Sequence, residues 1–586
     1  MSRKIHFVDQ TIRDAQQSLW GLLMSTDMIT PIAPVMDEIG YHEIATNGSN
    51  GFVVEIRYYD TDPWERIRLL AKLMPNTPIR GSFMTAALAS FDVDTPRDVI
   101  DLWIKNQVVN GVKSFWVCDY QTDMERFYYF AKTVKDLGAR CVPSLMYSES
   151  PYHTPELWAK RTKLLVEAGD MIDAIYIEDA SGVLTPDKAY EFVSTVKANS
   201  NGIPIEFHSH CNSGLAPLCY LEAVKAGADI LHTAVAPLAN GTSLPAIQNI
   251  LKNVRHMGYQ TDINDEALET VTAHFTKVAQ ENGFPIGVPE EYDLFHFEHQ
   301  VPGGMMTNLK RQLAEMKMED RLDEFLTEIV QVRKDLGYPI MATPYSQVVG
   351  TQAVENVMQG ERYKKILDQT VKYVMGHYGE VVGPIDEGLM ERIKTSPETQ
   401  KLLNWTPEGR GKPLSVLRDE IGHAYDDDEF LLRVLIPGLT ARPGTGKNPR
   451  QTRPTPKTKQ QGLPIGGFSS IPNAFAIDVD GETFNVKITP LDDDGQGSAS
   501  ESMGSAKPRE ISPGAVLAPM AGLVVSVDAE KGQAVCKGDL LAKTEAMKMI
   551  REVLAPHDGT VSDIYVQVGD MIDAEDPLIV VEQKDE

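Results

Sequence analysis

Cysteine is scarce in this chain: Cys118, Cys141, Cys211, Cys219 and Cys536 are all that 586 residues contain, and no two form a CxxC pair. So few thiols, so widely spaced, exclude a disulfide framework and fit a reducing cytoplasm. Positive charge is also short, with 56 Lys and Arg against 83 Asp and Glu and a formal charge of −27. Such a surface repels phosphate backbones and anionic lipid heads, which removes nucleic acid and membrane surfaces from the candidate partners. Long apolar runs are missing as well. The N-terminus "MSRKIHFVDQ" has no apolar signal core. No stretch approaches the ~18 uninterrupted apolar residues of a membrane span, so a soluble, cytoplasmic chain that does not insert into the bilayer is expected.

What is present is regular. The length predicts two to four domains. Over the first 261 residues eight short β-branched or aromatic runs alternate with amphipathic stretches: "KIHFVDQT", "YHEIATNG", "PIRGSFMT", "SFWVCDY", "RCVPSLMY", "AIYIEDA", "IPIEFHSH" and "ILHTAVAP". Between two of them, "TPELWAKRTKLLVEAG" reads as a helix with Thr154 as N-cap and Leu157, Leu164, Leu165 and Ala168 on one face. Eight strand–helix units predict an α/β fold, a (β/α)8 TIM barrel over residues 1–261. An open doubly wound sheet is disfavoured because no glycine-rich turn follows the first strand.

From 262 to 436 helical periodicity takes over, which predicts a helical extension around the barrel mouth. Residues 437–510 read as a linker, rich in Pro, Gly and Lys at first and in Asp, Gly and Ser later. Within it, "AFAIDVDGETFNVKI" predicts a hairpin turning at Asp480-Gly481. The last segment, 511–586, repeats itself: Leu517-Ala518-Pro519 recurs as Leu554-Ala555-Pro556, Gly522 as Gly559, Gly532 as Gly569 and Asp539 as Asp576. Two similar halves predict a small all-β domain with a pseudo-twofold.

Two constellations carry chemistry. "IPIEFHSH" ends in His208 and His210, which at i and i+2 of a strand point to one face and can bind one cation. Asp14 follows the first strand, at the same end of the expected barrel, and supplies a carboxylate. Near the C-terminus "EAMKM" sets Lys548 between Met547 and Met549.

"EAMKM", with "APMAG" before it and "APHDG" after it, resembles the biotinyl carrier domain of biotin-dependent carboxylases. That resemblance implies biotin in amide linkage to Lys548, attached by a biotin protein ligase. "TIRDAQQSLW", "HSH", "NGTSLP", "VPGGMMTNLKRQ" and "TPYSQVVGTQAVENV" resemble the carboxyltransferase family that holds pyruvate carboxylase, the transcarboxylase keto-acid subunit and the oxaloacetate decarboxylase alpha subunit. By position, the resemblance implies Asp14, His208 and His210 as ligands of a divalent metal. Zinc, manganese or cobalt suits that donor set. It also implies Arg13 and Gln17 at the substrate and Thr242 as the residue that moves a proton between acceptor and biotin. No segment suggests an ATP-grasp domain, so a separate ATP-dependent biotin carboxylase subunit is expected, with a small-molecule acceptor and a homo-oligomeric assembly.

The chain departs from the family at telling places. Glu178 in "YIEDA" stands where the family has a carboxylated lysine, and offers the same kind of oxygen on a shorter arm. Met84 and Phe91 stand where the family has an arginine clamp and a tyrosine, and "TNGSNG", Thr46 to Gly51, replaces a tryptophan and glycines. Losing the clamp disfavours pyruvate and oxaloacetate as acceptor. Three alternatives remain open: a decarboxylase with a membrane partner, a metal-dependent carbon–carbon lyase, and a biotin carrier without catalysis.

Overall fold

A computed structural model describes residues 3–450 and 514–583, with short breaks at 47, 89–94, 120–121, 316–317, 343, 398, 400–401, 403–410, 437, 449, 519–521, 547–548 and 573–574, and also the strands at 474–479 and 482–487. Met1–Arg453 and Gly514–Glu586 form one compact unit, and Pro454–Pro513 a second.

Eight parallel strands close into a barrel: β1 (His6–Asp9), β2 (Glu43–Ala45), β3 (Ile79–Met84), β4 (Ser114–Cys118), β5 (Arg140–Met146), β6 (Ile175–Asp179), β7 (Ile205–Ser209) and β8 (Ile230–Thr233). β1 pairs with both β2 and β8, which removes the edge. Every residue of β2, β6, β7 and β8 is buried, and so the runs show no polar alternation. The barrel interior is not wholly apolar. Arg80 lies between Glu43 and Glu206, donating Nη2 to Glu206 Oε1 at 2.8 Å.

The helix after β5 is Pro155–Val166, and Thr154 Oγ1 accepts from Leu157 N at its N-terminus. Its buried face differs from the expected one. Trp158, Arg161, Thr162 and Leu165 are buried, whereas Leu157 and Leu164 are only half-buried. Leu165 and Ala168 are buried as expected, but the aromatic Trp158 and the polar Arg161 and Thr162 take places on the buried face that apolar spacing did not mark.

Beyond β8 the chain is helical. Helices Gly303–Glu315, Leu322–Asp335 and Tyr345–Gln359 build a second core around Leu313, Phe325, Ile329 and Val349. Two close approaches bring this region to the barrel mouth. A Cβ on Gly287 would stand 1.9 Å from the Ala239 carbonyl oxygen, and one on Gly303 would stand 2.3 Å from Thr242 Cβ. Helix Asp427–Leu435 then returns to the barrel wall, burying Phe430, Leu431 and Leu432 in the barrel's core. The stretch after it is tied down too: Asn448 Nδ2 donates to Asp60 Oδ1 at 2.7 Å.

In the second unit β9 (Ala474–Val479) pairs antiparallel with β10 (Glu482–Lys487). Asp480 and Gly481, the expected turn, lie outside the described residues.

The C-terminal strands are β11 (Ala515–Leu517), β12 (Gly522–Val527), β13 (Ala534–Val535), β14 (Leu540–Ala546), β15 (Met549–Leu554), β16 (Gly559–Ile564), β17 (Met571–Ile572) and β18 (Pro577–Gln583). They form two four-stranded sheets, ordered β11-β18-β16-β13 and β15-β14-β12-β17. The spacing from Gly522 to Gly559 carries β12 onto β16, β13 onto β17 and β14 onto β18, and so exchanges the two sheets. The core follows the same rule, with Val524 matched by Val561 and Leu541 by Leu578, all fully buried. Arg551 of β15 reaches Glu355 on helix Tyr345–Gln359, Nη1 to Oε2 at 3.6 Å, with side chains 19% and 8% exposed.

Among the described residues no helix is long and apolar enough to cross a membrane.

Candidate metal centre and carrier lysine

Active sites of (β/α)8 barrels form where the strands end, and three such ends meet here. After β1 the chain makes a five-residue π-helical turn, Thr11–Ala15, which places Arg13 and Asp14 over the barrel. Wide turns of this kind recur at functional sites. β7 supplies His208 and carries the chain on to His210.

Asp14 Oδ2 stands 3.0 Å from His210 Nε2 and 3.3 Å from His208 Nε2. All three residues are buried. Asp14 Oδ2 and His208 Nε2 have no hydrogen-bond partner, although both are buried. Uncompensated buried polar atoms cost free energy, and a divalent cation bound among these three side chains removes that cost. The donor set therefore fits a metal. Among the described residues it is the one cluster of His, Cys, Asp and Glu side chains close enough to hold an ion.

The charges agree. Burial alone would raise the Asp14 carboxyl, but His210 and Arg13 hold it well below the usual carboxylate range. Burial pushes His208 down to about 3, leaving a neutral imidazole with a lone pair to give. His210 goes the other way: burial opposes its charge, but Asp14 and the Thr242 carbonyl hold it up at about 9.

Each imidazole is oriented from behind. His210 Nδ1 donates to the Thr242 carbonyl oxygen at 2.8 Å, which leaves Nε2 for Asp14. His208 Nδ1 lies 3.4 Å from Nδ1 of His232, on β8. His232 Nε2 stands 2.8 Å from Glu206 Oε2, and Gln10 Nε2 lies 2.9 Å from His232 Nδ1. Glu206 is in turn gripped by Arg80. With Glu206 accepting from Nε2–H, His232 Nδ1 becomes an acceptor whose one lone pair is shared by Gln10 Nε2–H and, more distantly, by His208 Nδ1–H, which keeps His208 Nε2 free. Partners of this sort behind ligating histidines fix tautomer and ring direction.

His232, Gln10, Glu206 and Arg80 were not among the residues expected from the sequence. The available signal was an imidazole inside the apolar run "ILHTAVAP".

The remaining candidates lie around this centre. Arg13 Nη1 is 3.1 Å from Asp14 Oδ1, and its guanidinium sits 4.4 Å from the Trp116 ring centroid. Thr242 Oγ1 donates to the Ser18 carbonyl at 2.9 Å. Gln17, half-buried, lies four residues after Arg13 on the following helix, Gln16–Trp20. Glu178 on β6 is the register partner of His208. It is buried, its Oε2 has no partner, and burial pushes its carboxyl up to about 8 against the pull of Arg13. Its oxygens fall outside the close cluster of Asp14, His208 and His210. Met84 ends β3 beside Cys118 of β4; Phe91 lies outside the described residues.

A pocket of about 240 Å³, counting the part that merges with solvent, is lined by Gln10, Arg13, Thr46, Arg80, Trp116 and Tyr176 among others. Its two guanidiniums are both engaged, Arg80 with Glu43 and Glu206 and Arg13 with Asp14 and Trp116.

In the C-terminal domain Ala546 pairs with Met549 across β14 and β15. Lys548 and Met547, the two residues between them, lie outside the described residues.

Comparison with known proteins gives three family matches along the chain. Residues 4–274 match the HMGL-like family, 297–486 the conserved carboxylase domain, and 514–581 the biotin-requiring enzyme domain. The carboxyl transferase domain of Rhizobium etli pyruvate carboxylase, solved with pyruvate, superposes with a TM-score of 0.67 at 23% identity over 74% of this chain and 76% of that one, which establishes the fold. The large subunit of 2-oxoglutarate carboxylase from Hydrogenobacter thermophilus is 30% identical over 94% of this chain and 91% of its own length. A pyruvate carboxylase subunit of Methanocaldococcus jannaschii is 36% identical over 93% of this chain and 94% of its own length. Biotin is the cofactor to which the C-terminal match points, and the Asp14, His208 and His210 donor set in the barrel fits a divalent metal. An Asp–His–His centre at the mouth of a (β/α)8 barrel and a biotinyl domain thus lie in one chain whose nearly full-length relatives are carboxylase subunits, and the chain belongs to the biotin-dependent carboxyltransferase family.

Proposed function

We propose that this chain is the carboxyltransferase subunit of a two-subunit carboxylase, moving a carboxyl group from its own biotinyl domain to a small acceptor through an enolate-like anion. The observation that carries the reading is the convergence of Asp14, His208 and His210 beside Thr242. When bound, biotin on Lys548 supplies the carboxyl group and the metal supplies Lewis-acid stabilisation of the anion. The chain's own residues do the rest. Thr242 relays the acceptor's proton through Oγ1, which needs only to exchange its bond to the Ser18 carbonyl. Its main-chain carbonyl meanwhile fixes His210, so proton relay and metal ligand move together. Arg13, held over Trp116 by a cation–π contact, and Gln17, one turn on, orient the acceptor. Glu178, beside His208 on the neighbouring strand, gives a further carboxylate to the metal site where the family has a carboxylated lysine.

The acceptor lacks an α-carboxylate at the clamp position. Met84 offers no charge there, and both arginines of the pocket that Trp116 and Tyr176 line already have carboxylate partners. An unpaired carboxylate in that pocket would meet desolvation without compensation. A separate biotin carboxylase charges the biotin; two nearly full-length relatives that are each one subunit of a pyruvate carboxylase support this.

The test is incorporation of labelled bicarbonate with ATP, the purified chain and its partner carboxylase, across a panel of acceptors that includes pyruvate, oxaloacetate and 2-oxoglutarate. ATP-dependent labelling of an acceptor other than these keto acids is expected. Efficient labelling of pyruvate would overturn the acceptor assignment. ATP-independent decarboxylation would favour the decarboxylase, and turnover that survives avidin would favour the lyase.

A further inference from the structure

A second polar feature of the barrel lies in the layer between strands and helices. Helix Pro155–Val166 turns Arg161 inward, and Arg161 is 8% exposed. Its guanidinium lies 5.6 Å from the Trp158 ring centroid, its Nε has no acceptor, and among the described residues it forms no ion pair. Other deeply buried arginines are provided for. Arg80 has two glutamates, Arg66 has Glu55, Thr26 and the Met24 carbonyl, and Arg333 has Ser148 Oγ and the Pro339 and Glu149 carbonyls. Arg161 differs from all three.

Arg161 borders an open pocket of about 490 Å³, counting the part that merges with solvent. Val117, Phe127 and Leu145 give it apolar walls, and Thr122 and Ser144 add hydroxyls. Asp119 also lines it and has a partner of its own, although its buried Oδ2 accepts no hydrogen bond. Glu380 lies 3.8 Å from Lys160. Burial pulls the guanidinium's pKa down, and Glu380, Tyr345 and Asp119 oppose that only in part. Nearby, burial with Arg333 and Arg161 holds His153 neutral, with a pKa of about 3, and its buried Nε2 has no partner. A buried cation without a counter-ion is costly, and a carboxylate presented to the planar guanidinium fork offsets that cost with two charge-assisted bonds.

We propose that this pocket binds a small monocarboxylate with a short hydrocarbon body, its carboxylate paired with Arg161 and its hydrocarbon against Val117, Phe127 and Leu145. A single guanidinium with Asp119 and Glu380 in its field favours one negative charge over two, which disfavours phosphate and dicarboxylates. The site is distinct from the pocket of Arg13 and Arg80 and does not depend on the acceptor assigned above.

The test uses the full-length biotinylated chain in calorimetric and thermal-shift titrations with sodium propionate, succinate and phosphate against sodium chloride at equal ionic strength. Saturable propionate binding that raises Tm is expected. Arg161→Met, which removes the unpaired charge and keeps the apolar stem, should lose that binding and melt no lower than the parent without propionate. Arg161→Lys, should the first variant fail to fold, should bind propionate at least tenfold more weakly. Lys548→Arg, without biotin, should bind as the parent does. Absence of saturable propionate binding in the parent, or undiminished binding in the Arg161 variants, would overturn the site. Phosphate or succinate binding more tightly than propionate would overturn the ligand class.

Discussion

The two functional regions of this chain are built by opposite means. The C-terminal domain is a repeat: Val524 and Leu541 of one half recur as Val561 and Leu578 of the other, and Lys548, the proposed carrier, falls in the short stretch between the paired strands β14 and β15. The barrel centre repeats nothing. Asp14, His208 and Thr242 come from three strand ends far apart in sequence, and they meet only because β1 closes against β8. A site on a hairpin tolerates local change as long as its two sheets pair, whereas a site assembled by barrel closure depends on every element that closes it. The two should therefore fail independently when mutated, although an ion pair, Arg551 to Glu355, joins them.

The largest expected effect is at the carrier. Lys548→Arg keeps the charge, but a guanidinium protonated at any working pH is no acylation nucleophile. Biotin attachment and carboxyl transfer should vanish while metal content and melting stay as in the parent. An intact mass that still includes biotin would break the distinction. The converse change removes both imidazoles, His208→Ala with His210→Ala. Bound metal should fall from about one ion per chain to none, and biotinylation should persist. Elemental analysis reads this directly, and unchanged metal content would refute the centre.

A smaller effect sharpens the account of the barrel. His232→Ala removes the acceptor behind His208 Nδ1. Loss of such partners typically weakens metal binding by ~10–100-fold. His232→Gln, which keeps an acceptor on a similar reach, should lose less. Equal metal Kd in all three chains would show that the ring needs no orienting partner. The smallest effect is at the contact between the regions. The pair is largely buried, with side chains 19% and 8% exposed, but long at 3.6 Å, so Arg551→Glu, which sets two carboxylates against each other, should slow transfer by roughly two- to tenfold. Glu355→Arg should do the same, and the two together should restore the rate. Additive losses in the double variant would mean that the pair does not guide docking.

Much of this was legible from local patterns. The eight runs contain β1–β8, because strands buried on both faces must be continuously apolar. Thr154 caps its helix as expected, since a cap is decided within four residues. The internal repeat foretold the exchange of β12 with β16 and of β14 with β18. The pairing of His208 with His210 followed from strand periodicity alone.

Closure decided what spacing does not encode. Nothing local shows that His232 backs His208, because the two sit on neighbouring strands and become partners only when both face inward. Arg80, within the run "PIRGSFMT", is neutralised inside the barrel by Glu43 and Glu206 from two other strands. Arg161 carries no mark of burial in its sequence, and packing makes it a buried cation without an ion-pair partner among the described residues. The sequence by itself determined the elements, the repeat and the HxH pair, since those depend on interactions a few residues apart. Only the tertiary structure decided which buried charges found partners and which did not, because that balance is struck between residues that meet after the barrel has closed.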